Sequence, residues 1–396
     1  MRIYYWPLVL SVITCLAADV YIYRAALKRC AVRFWSKVQL YTGAILYMLL
    51  LVALCMPKRG DNESAFITVM WMLFVFVSVY ASKFLFVIVD LSASLPMLFH
   101  RSRLRAVSIL GGVLAAVVFV LMWWGALINR FHTQIREVDV EIYGLPEQFD
   151  GYRMVQFSDF HVGTYGSDTT YVSHVVDCIN AVGGDVILFT GDIVNRRTIE
   201  LQPFVKPLSR LKARDGVYSI LGNHDYGDYF DWSSDELKLQ NMELMDSLQK
   251  SMGWNLLRNE YVMLHCGSDS IALIGVENVG DPPFAVYGSL ERAYPALGDS
   301  VSKVLLTHNP AHWTSDIANN DTVNIGLSLS GHTHAMQIEL WGVSPAIWRY
   351  PTWGGLYKDN ESRHQMYVNI GIGAVALPMR IGATPEITVI TLHPAK

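Results

Sequence analysis

Two textures of hydrophobic and polar positions divide this chain. Over its first third, long apolar runs are separated only by short polar loops. From about Val138 the apolar runs shrink to strand length and alternate with polar or amphipathic stretches. Four of the long runs can span hydrocarbon, which takes roughly 20 residues as a helix. They cover residues 3–23 and 40–56, a stretch from Ala65 past Tyr80, and the uncharged "AVSILGGVLAAVVFVLMWWGALI" from Ala106 to Ile128. A cleaved signal peptide is the alternative for the first run. It fits poorly, because only Arg2 precedes the apolar core and no small-residue cleavage site follows. The pattern therefore predicts a four-helix transmembrane region over residues 1–132.

The remainder, residues 133–396, reads differently. The runs "YRMVQFSD", "DVILFTGD", "GVYSILGN", "IALIGVEN", "KVLLTHNP", "NIGLSLSG", "MYVNIG" and "EITVITLH" are near-continuously apolar and predict buried strands. Between them "TTYVSHVVDCINAV" and "SSDELKLQNMELMDSLQKS" carry helical patterns. Strands alternating with helices predict an α/β domain whose sheets are covered on their faces.

Charge sharpens the division. Up to Arg136 there are 14 basic and 4 acidic residues, a net of +10, which leaves −14 for the rest of a chain whose formal charge is −4. So acidic a domain is ill suited to nucleic acid, whose phosphates are bound by neutralising Lys and Arg; no nucleic-acid partner is expected. The basic part suits a membrane surface. Arg24, Lys28, Arg29, Arg33, Lys37, Arg101, Arg103 and Arg105 lie in loops on one side of the predicted spans. Arg2, Lys58, Arg59, Arg130 and Arg136 lie on the other. By the positive-inside rule this predicts an integral, multi-pass protein with its C-terminal domain outside the cytoplasm. Asp19, Lys83 and Asp90 fall in or beside the spans, near their cytoplasmic ends, where long side chains reach water. Cys15 and Cys55 read as packing residues. Cys178 and Cys266 can pair only if the fold joins them, and no Cys-x-x-Cys motif occurs.

The chemistry-bearing residues share one placement. "SDFHVG" supplies Asp159 and His161, "TGDIVN" Asp192 and Asn195, "GNHD" Asn223, His224 and Asp225, "LLTHNP" His308, and "SGHTHA" His332 and His334. Asp159, Asp192, Asn223, His308 and His332 each follow the C-terminal end of a predicted strand, where open α/β sheets bind ligands. A lone strand-end histidine is ordinarily a structural hydrogen-bonder. Here five of the chain's 12 histidines fall in these motifs. Mixed carboxylate, imidazole and amide donors suit Mn, Zn or Fe more than Mg or Ca. These donors exceed the needs of one ion, so two divalent transition metal ions sharing a carboxylate are expected. Paired ions can clamp both oxygens of an in-line displacement at phosphorus and supply hydroxide near neutral pH.

These motifs, in this order, resemble the calcineurin-like metallophosphoesterase superfamily, with its D-x-H, G-D-x-x-D/N, G-N-H-D/E, H and G-H-x-H pattern. The segment "RIGATPEITVITL" from Arg380 further resembles the closing strand of membrane-associated YaeI/YkuE-like phosphodiesterases. The resemblance implies a two-sheet β-sandwich flanked by helices. It implies that Asp159, His161, Asp192 and His334 hold one ion, with Asp192 bridging, and that Asn223, His308 and His332 complete the second. It makes His224 a general acid or phosphate-binding group oriented by Asp225. One departure stands out: many similar proteins read G-H-T-H-G-G-Q where this chain has "GHTHAMQ", with Ala335 and Met336 in the glycine positions. The implied function is hydrolysis of a phosphoester, a phosphodiester or a lipid-linked one foremost. A phosphomonoesterase or nucleotide-conjugate pyrophosphatase is the alternative within enzymes, and an inactive membrane sensor or scaffold the alternative outside them. After the last motif "WGVSPAIWRYPTWGGLY" offers Trp348 and Trp353 as anchors at headgroup level, with a satellite core under the loop as the alternative.

Overall fold

The structure is a computed structural model that describes residues 5–27, 33–56, 62–282, 284–294, 298 and 300–395. Arg2, Lys28, Arg29, Cys30, Lys58 and Arg59 lie outside the described residues, as does the side chain of Arg33. The chain divides into two units, Met1–Lys58 with Ala65–Ala126, and Arg59–Ser64 with Leu127–Lys396.

In the first unit the apolar runs form α1 (Tyr5–Tyr21), α2 (Arg33–Cys55), α3 (Glu63–Ser92) and α4 (Arg105–Leu127). All four are long and apolar enough to cross a bilayer. Leu10, Ile13, Ile45, Leu51, Ile109 and Val120 face outward, as suits helices whose solvent is hydrocarbon. The three ionisable groups do not reach water separately, as the sequence suggested, but are paired inside the unit. Asp19 Oδ1 accepts hydrogen bonds from Lys83 Nζ (2.7 Å) and Gln39 Nε2 (2.8 Å), and its Oδ2 from Tyr80 (2.7 Å) and Tyr47 (3.1 Å). Asp90 accepts from Tyr21 (2.7 Å) and is paired with Arg103. An isolated charge in hydrocarbon is costly, whereas a carboxylate with several donors is largely compensated. Cys15 is buried as expected; Cys55 is exposed, and Cys178 and Cys266 are both free thiols.

The second unit contains two six-stranded mixed sheets. The first comprises β1 (Gln134–Ile142), β2 (Arg153–Phe157), β3 (Val186–Phe189), β4 (Val217–Ser219), β5 (Trp254–Leu256) and β12 (Glu386–Pro394), in the order β1-β12-β2-β3-β4-β5. The second comprises β6 (Glu260–Cys266), β7 (Asp269–Gly275), β8 (Lys303–Leu306), β9 (Leu327–Ser330), β10 (Gly355–Lys358) and β11 (Gln365–Val368), in the order β10-β11-β9-β8-β7-β6. Burial explains why the central strands read as continuous apolar runs. Val186 and Leu188 of β3 face a core shared with Leu273, Leu306 and Leu329 of the other sheet. Ile187 and Phe189 face the opposite way, onto Val172, Val175 and Ile179 of α5 (Thr170–Val182). A second outer layer packs Trp313 and Ile317 against Ile274, Leu305, Met366 and Val368. The sheets thus form a sandwich with helices outside, the architecture the sequence implied. β1 begins at Gln134, four residues ahead of the apolar pattern, because those first residues are mostly exposed and are held in the strand by parallel pairing with the distant β12.

Candidate metal centre

Five strand ends converge. β2 leads into Asp159, β3 into Asp192, β4 into Asn223, β8 into His308 and β9 into His332. At these ends the backbone leaves the ladder abruptly. Asp159, His161, Asp192, His332 and His334 all have φ between 48° and 73°. For residues with a Cβ that region costs roughly 1–3 kcal/mol each, and such strain persists where the surroundings hold it in place at functional sites. Two glycines make room for it: a Cβ on Gly222 would strike the Asp192 carboxylate, and one on Gly331 would strike that of Asp159.

The side chains so delivered form three overlapping donor groups: Asp159, His161 and His334; His161, Asp192 and His224; Asp192, His308 and His332. Within each, the candidate ligand atoms lie within 4.8 Å of one another. Asp192 and His161 each belong to two groups. His334 Nε2 lies 3.2 Å from Asp159 Oδ1 and 3.1 Å from His161 Nε2. His308 Nε2 lies 3.2 Å from Asp192 Oδ2, and His161 Nε2 lies 3.7 Å from the same oxygen. All seven residues that the sequence offered as ligands are therefore gathered here, six in the donor groups and Asn223 beside them.

The donors are held from behind. The His308 Nδ1–H donates to the Thr190 carbonyl (2.7 Å), which leaves Nε2 facing Asp192. His332 Nε2 is 2.9 Å from the Tyr350 hydroxyl. The fully buried Arg380 donates to His334 Nδ1 (3.2 Å) and to the carbonyls of Ile370 (2.9 Å), Gly373 (2.6 Å) and Ala383 (3.1 Å). Asn223 Nδ2 donates to Tyr229 (2.9 Å), and Tyr229 stacks on His224 with ring centroids 4.2 Å apart. Sequence reasoning did not single out Tyr229, Tyr350 or Arg380, and gave no role to Gln337. Its Oε1 accepts from Val375 N (2.8 Å) and its Nε2 donates to the Leu377 carbonyl (3.1 Å), fastening the loop behind His334.

Asp225 is placed differently from what the resemblance implied. Its carboxylate accepts from the backbone N–H groups of Asp192 (2.8 Å), Ile193 (2.9 Å), Val194 (3.2 Å) and Gly222 (2.9 Å), with no hydrogen bond to His224. The carbonyl of Asn195, 2.7 Å from His224 Nδ1, orients the imidazole instead. Asp225 ties the Asp192 turn to the turn that carries Asn223 and His224. Burial, reinforced by the nearby Asp192 charge, pushes its carboxyl up to about 7.

The donor chemistry fits divalent cations. Asn223 Oδ1 and His308 Nε2 are buried and lack hydrogen-bond partners among the described residues. Burial would push the Asp159 and Asp192 carboxyls up, but the facing histidines, His334 for the one and His308 foremost for the other, hold both well below the ordinary carboxylate range. Burial, with His224 for the one and His308 for the other, keeps His161 and His332 neutral, the latter lowered to about 3. Burial would likewise lower His308, yet Asp192 raises it to about 9.

A family model for calcineurin-like phosphoesterases matches residues 152–336, and one described as "Probable Calcineurin-like phosphoesterase, transmembrane domain" matches residues 1–130. The uncharacterized metallophosphoesterase YkuE of Bacillus subtilis is 36% identical over 259 residues, covering 63% of this chain and 81% of that one. A transmembrane protein with metallophosphoesterase domain from Danio rerio is 29% identical over 400 residues, covering 96% of this chain and 87% of that one.

Proposed function

Starting from a chain that belongs to the calcineurin-like phosphoesterase family and is a membrane-embedded phosphoric ester hydrolase, we propose that it hydrolyses phosphodiesters, lipid-linked ones among them, at a pair of divalent transition metal ions. Asp159, His161, Asp192 and His334 would hold one ion, and Asn223, His308 and His332 the other, with Asp192 shared. The observation that carries this reading is the overlap of three donor groups on Asp192 and His161, beside the orphaned amide oxygen of Asn223. Bound there, such ions supply Lewis-acid polarisation and lower the pKa of water.

The chain's own groups supply the rest. Asp192 Oδ1 accepts the backbone N–H of His224 (2.8 Å), while its Oδ2 faces His161 and His308. One carboxylate thereby fixes both the donors and the turn that carries the acid. Asn223 contributes a neutral oxygen, which limits negative charge beside an anionic substrate. His224 is only partly buried, and with its Nδ1–H donating to the Asn195 carbonyl, the imidazolium form would hold a second proton on Nε2 to give to the leaving oxygen, returning to the neutral ring. A diester is favoured by the groups packed on the site's imidazoles, which are aromatic: Tyr229 on His224, and Phe284 and Tyr350 on His332. Of the neighbouring cations, Arg349 is already paired with Asp281, and Arg380 is engaged by His334 and the carbonyls of Ile370, Gly373 and Ala383. A monoester dianion would want a further cation, whereas a diester monoanion with an organic arm suits aromatic walls. The catalytic unit is proposed to lie outside the cytoplasm, with its bounds at residues 133–396.

The test is turnover by the full-length purified protein of bis(p-nitrophenyl) phosphate against p-nitrophenyl phosphate, with Mn²⁺ and after chelation. The proposal expects the diester to be cleaved faster and only with metal. Faster monoester cleavage would favour the phosphomonoesterase alternative.

A further inference from the structure

The segment that follows the last histidine motif is built to face outward. Leu340 and Val343 exchange backbone hydrogen bonds (2.9 and 3.1 Å) around a two-residue turn, Trp341-Gly342, with φ of 53° and 77°. Turns with both central residues left-handed favour Asn-Gly or Asp-Gly. Here a tryptophan occupies the first position, 96% exposed. Seven residues on, Trp348 is 88% exposed, and Leu340, Val343 and Ile347 are exposed with them. No residue from Leu340 to Trp348 is charged. The strap is not loose. Ser344 Oγ donates to the Ala335 carbonyl (2.5 Å) and accepts from Ala346 N (3.0 Å). Thr333 Oγ1 donates to the Trp353 carbonyl (2.6 Å), and Tyr350 holds His332. Trp353, by contrast, packs inward on Ala335, Ile370 and Ala383. Ser344 within the strap, and Tyr350 and Trp353 just past it, are tied to the loop of His332 and His334, and just before it Glu339 N donates to the Ile381 carbonyl (2.8 Å), while the apolar side chains of Leu340, Trp341, Val343, Ile347 and Trp348 stay exposed. A tryptophan held in a disfavoured backbone region with almost no contact in its own chain is costly twice over.

We propose that the strap Leu340–Trp348 seats in the headgroup layer of the bilayer that holds the chain, with Trp341 and Trp348 as its anchors, and so presents the metal centre to phosphoesters embedded in that layer. Its substrate clause rests on the phosphodiesterase reading; the seating does not. The occupant follows from chain connectivity and chemistry. Only residues 128–133 separate Leu127 at the end of α4 from Gln134 at the start of β1. Six residues reach at most roughly 20 Å, so the second unit remains at the membrane surface in any orientation. Tryptophan beside uncharged aliphatic residues suits the boundary between headgroups and acyl chains.

The test uses the full-length protein, one chain per lipid nanodisc, and the double variant Trp341→Asn/Trp348→Ser. Asparagine accepts the left-handed turn, so the variant should fold, and neither residue touches the metal site. The difference in tryptophan emission between wild type and variant isolates the two anchors. With lipids brominated near the headgroup end of the acyl chain, most of that difference should be quenched. Turnover of a bilayer-embedded phosphodiester should fall roughly tenfold, the factor set by about 1.4 kcal/mol, while a soluble nitrophenyl diester is cleaved as before. Unquenched difference emission would overturn the seating even if the enzyme cleaves every diester offered. Quenching together with unchanged turnover on embedded diesters would overturn the substrate clause. Loss of all hydrolysis in the wild type would count against the phosphodiesterase reading and leave the quenching result standing.

Discussion

At the scale of single residues, the site is a set of donors forced into a backbone region that most side chains avoid. His224 is the residue whose chemistry is most open to measurement. A general acid contributes about 10²–10⁴-fold where the leaving oxygen is a poor one, and little where it departs unaided. His224→Ala should therefore lose that factor on an alkyl phosphodiester and much less on a nitrophenyl one. Equal losses with metal retained would make it a binding group only. Met336 tests the strain. It occupies φ 46°, a region that glycine enters freely, and it is exposed, so truncation sacrifices little packing. Met336→Gly should stabilise the protein by about 1 kcal/mol, seen as a raised Tm; a lowered Tm would mean that the methionine is held by contacts. The seven candidate ligands could be named from the sequence because each lies in a short local motif at a strand end. Tyr229, Tyr350 and Arg380 were not, since a tyrosine or arginine acquires its partner only when distant segments meet. The orientation of His224 escaped for another reason: the acceptor is a main-chain carbonyl, which no side-chain pattern encodes.

At the scale of elements, the paired charges among the first helices show how polarity is accommodated in an apolar environment. Lys83 of α3 and Asp19 of α1 meet at 2.7 Å, with Gln39 and Tyr47 of α2 and Tyr80 of α3 on the same carboxylate. Three helices are thereby fixed in register by one acceptor. Removing one member of a buried pair costs about 3–5 kcal/mol, whereas removing both is often neutral. Lys83→Met should lower the thermal midpoint in nanodiscs sharply, and Asp19→Asn/Lys83→Met should recover most of the loss. No change in the single variant would mean that the pair is wet. The sequence placed these residues in the spans, but not their pairing, because helix rotation and neighbour choice are tertiary properties. Strands followed the same rule. Those buried on both faces, such as β3, announced themselves, while the half-exposed β1 is recognised only beside β12.

At the scale of the molecule, four helices long and apolar enough to cross a membrane precede a phosphoesterase unit, and only residues 128–133 join α4 to β1. The proposed orientation is tested by a reporter fused after Lys396, which should read outside the cytoplasm; a cytoplasmic signal would reverse the topology and leave the chemistry intact. The claim on which the account turns is that the chain works through two ions sharing Asp192. Elemental analysis of the purified full-length protein, taken together with its turnover of a phosphodiester, tests this most directly. The account predicts about two divalent ions per chain, and in Asp192→Asn a loss of both bound metal and most activity. Full turnover by protein stripped of transition metal would contradict it.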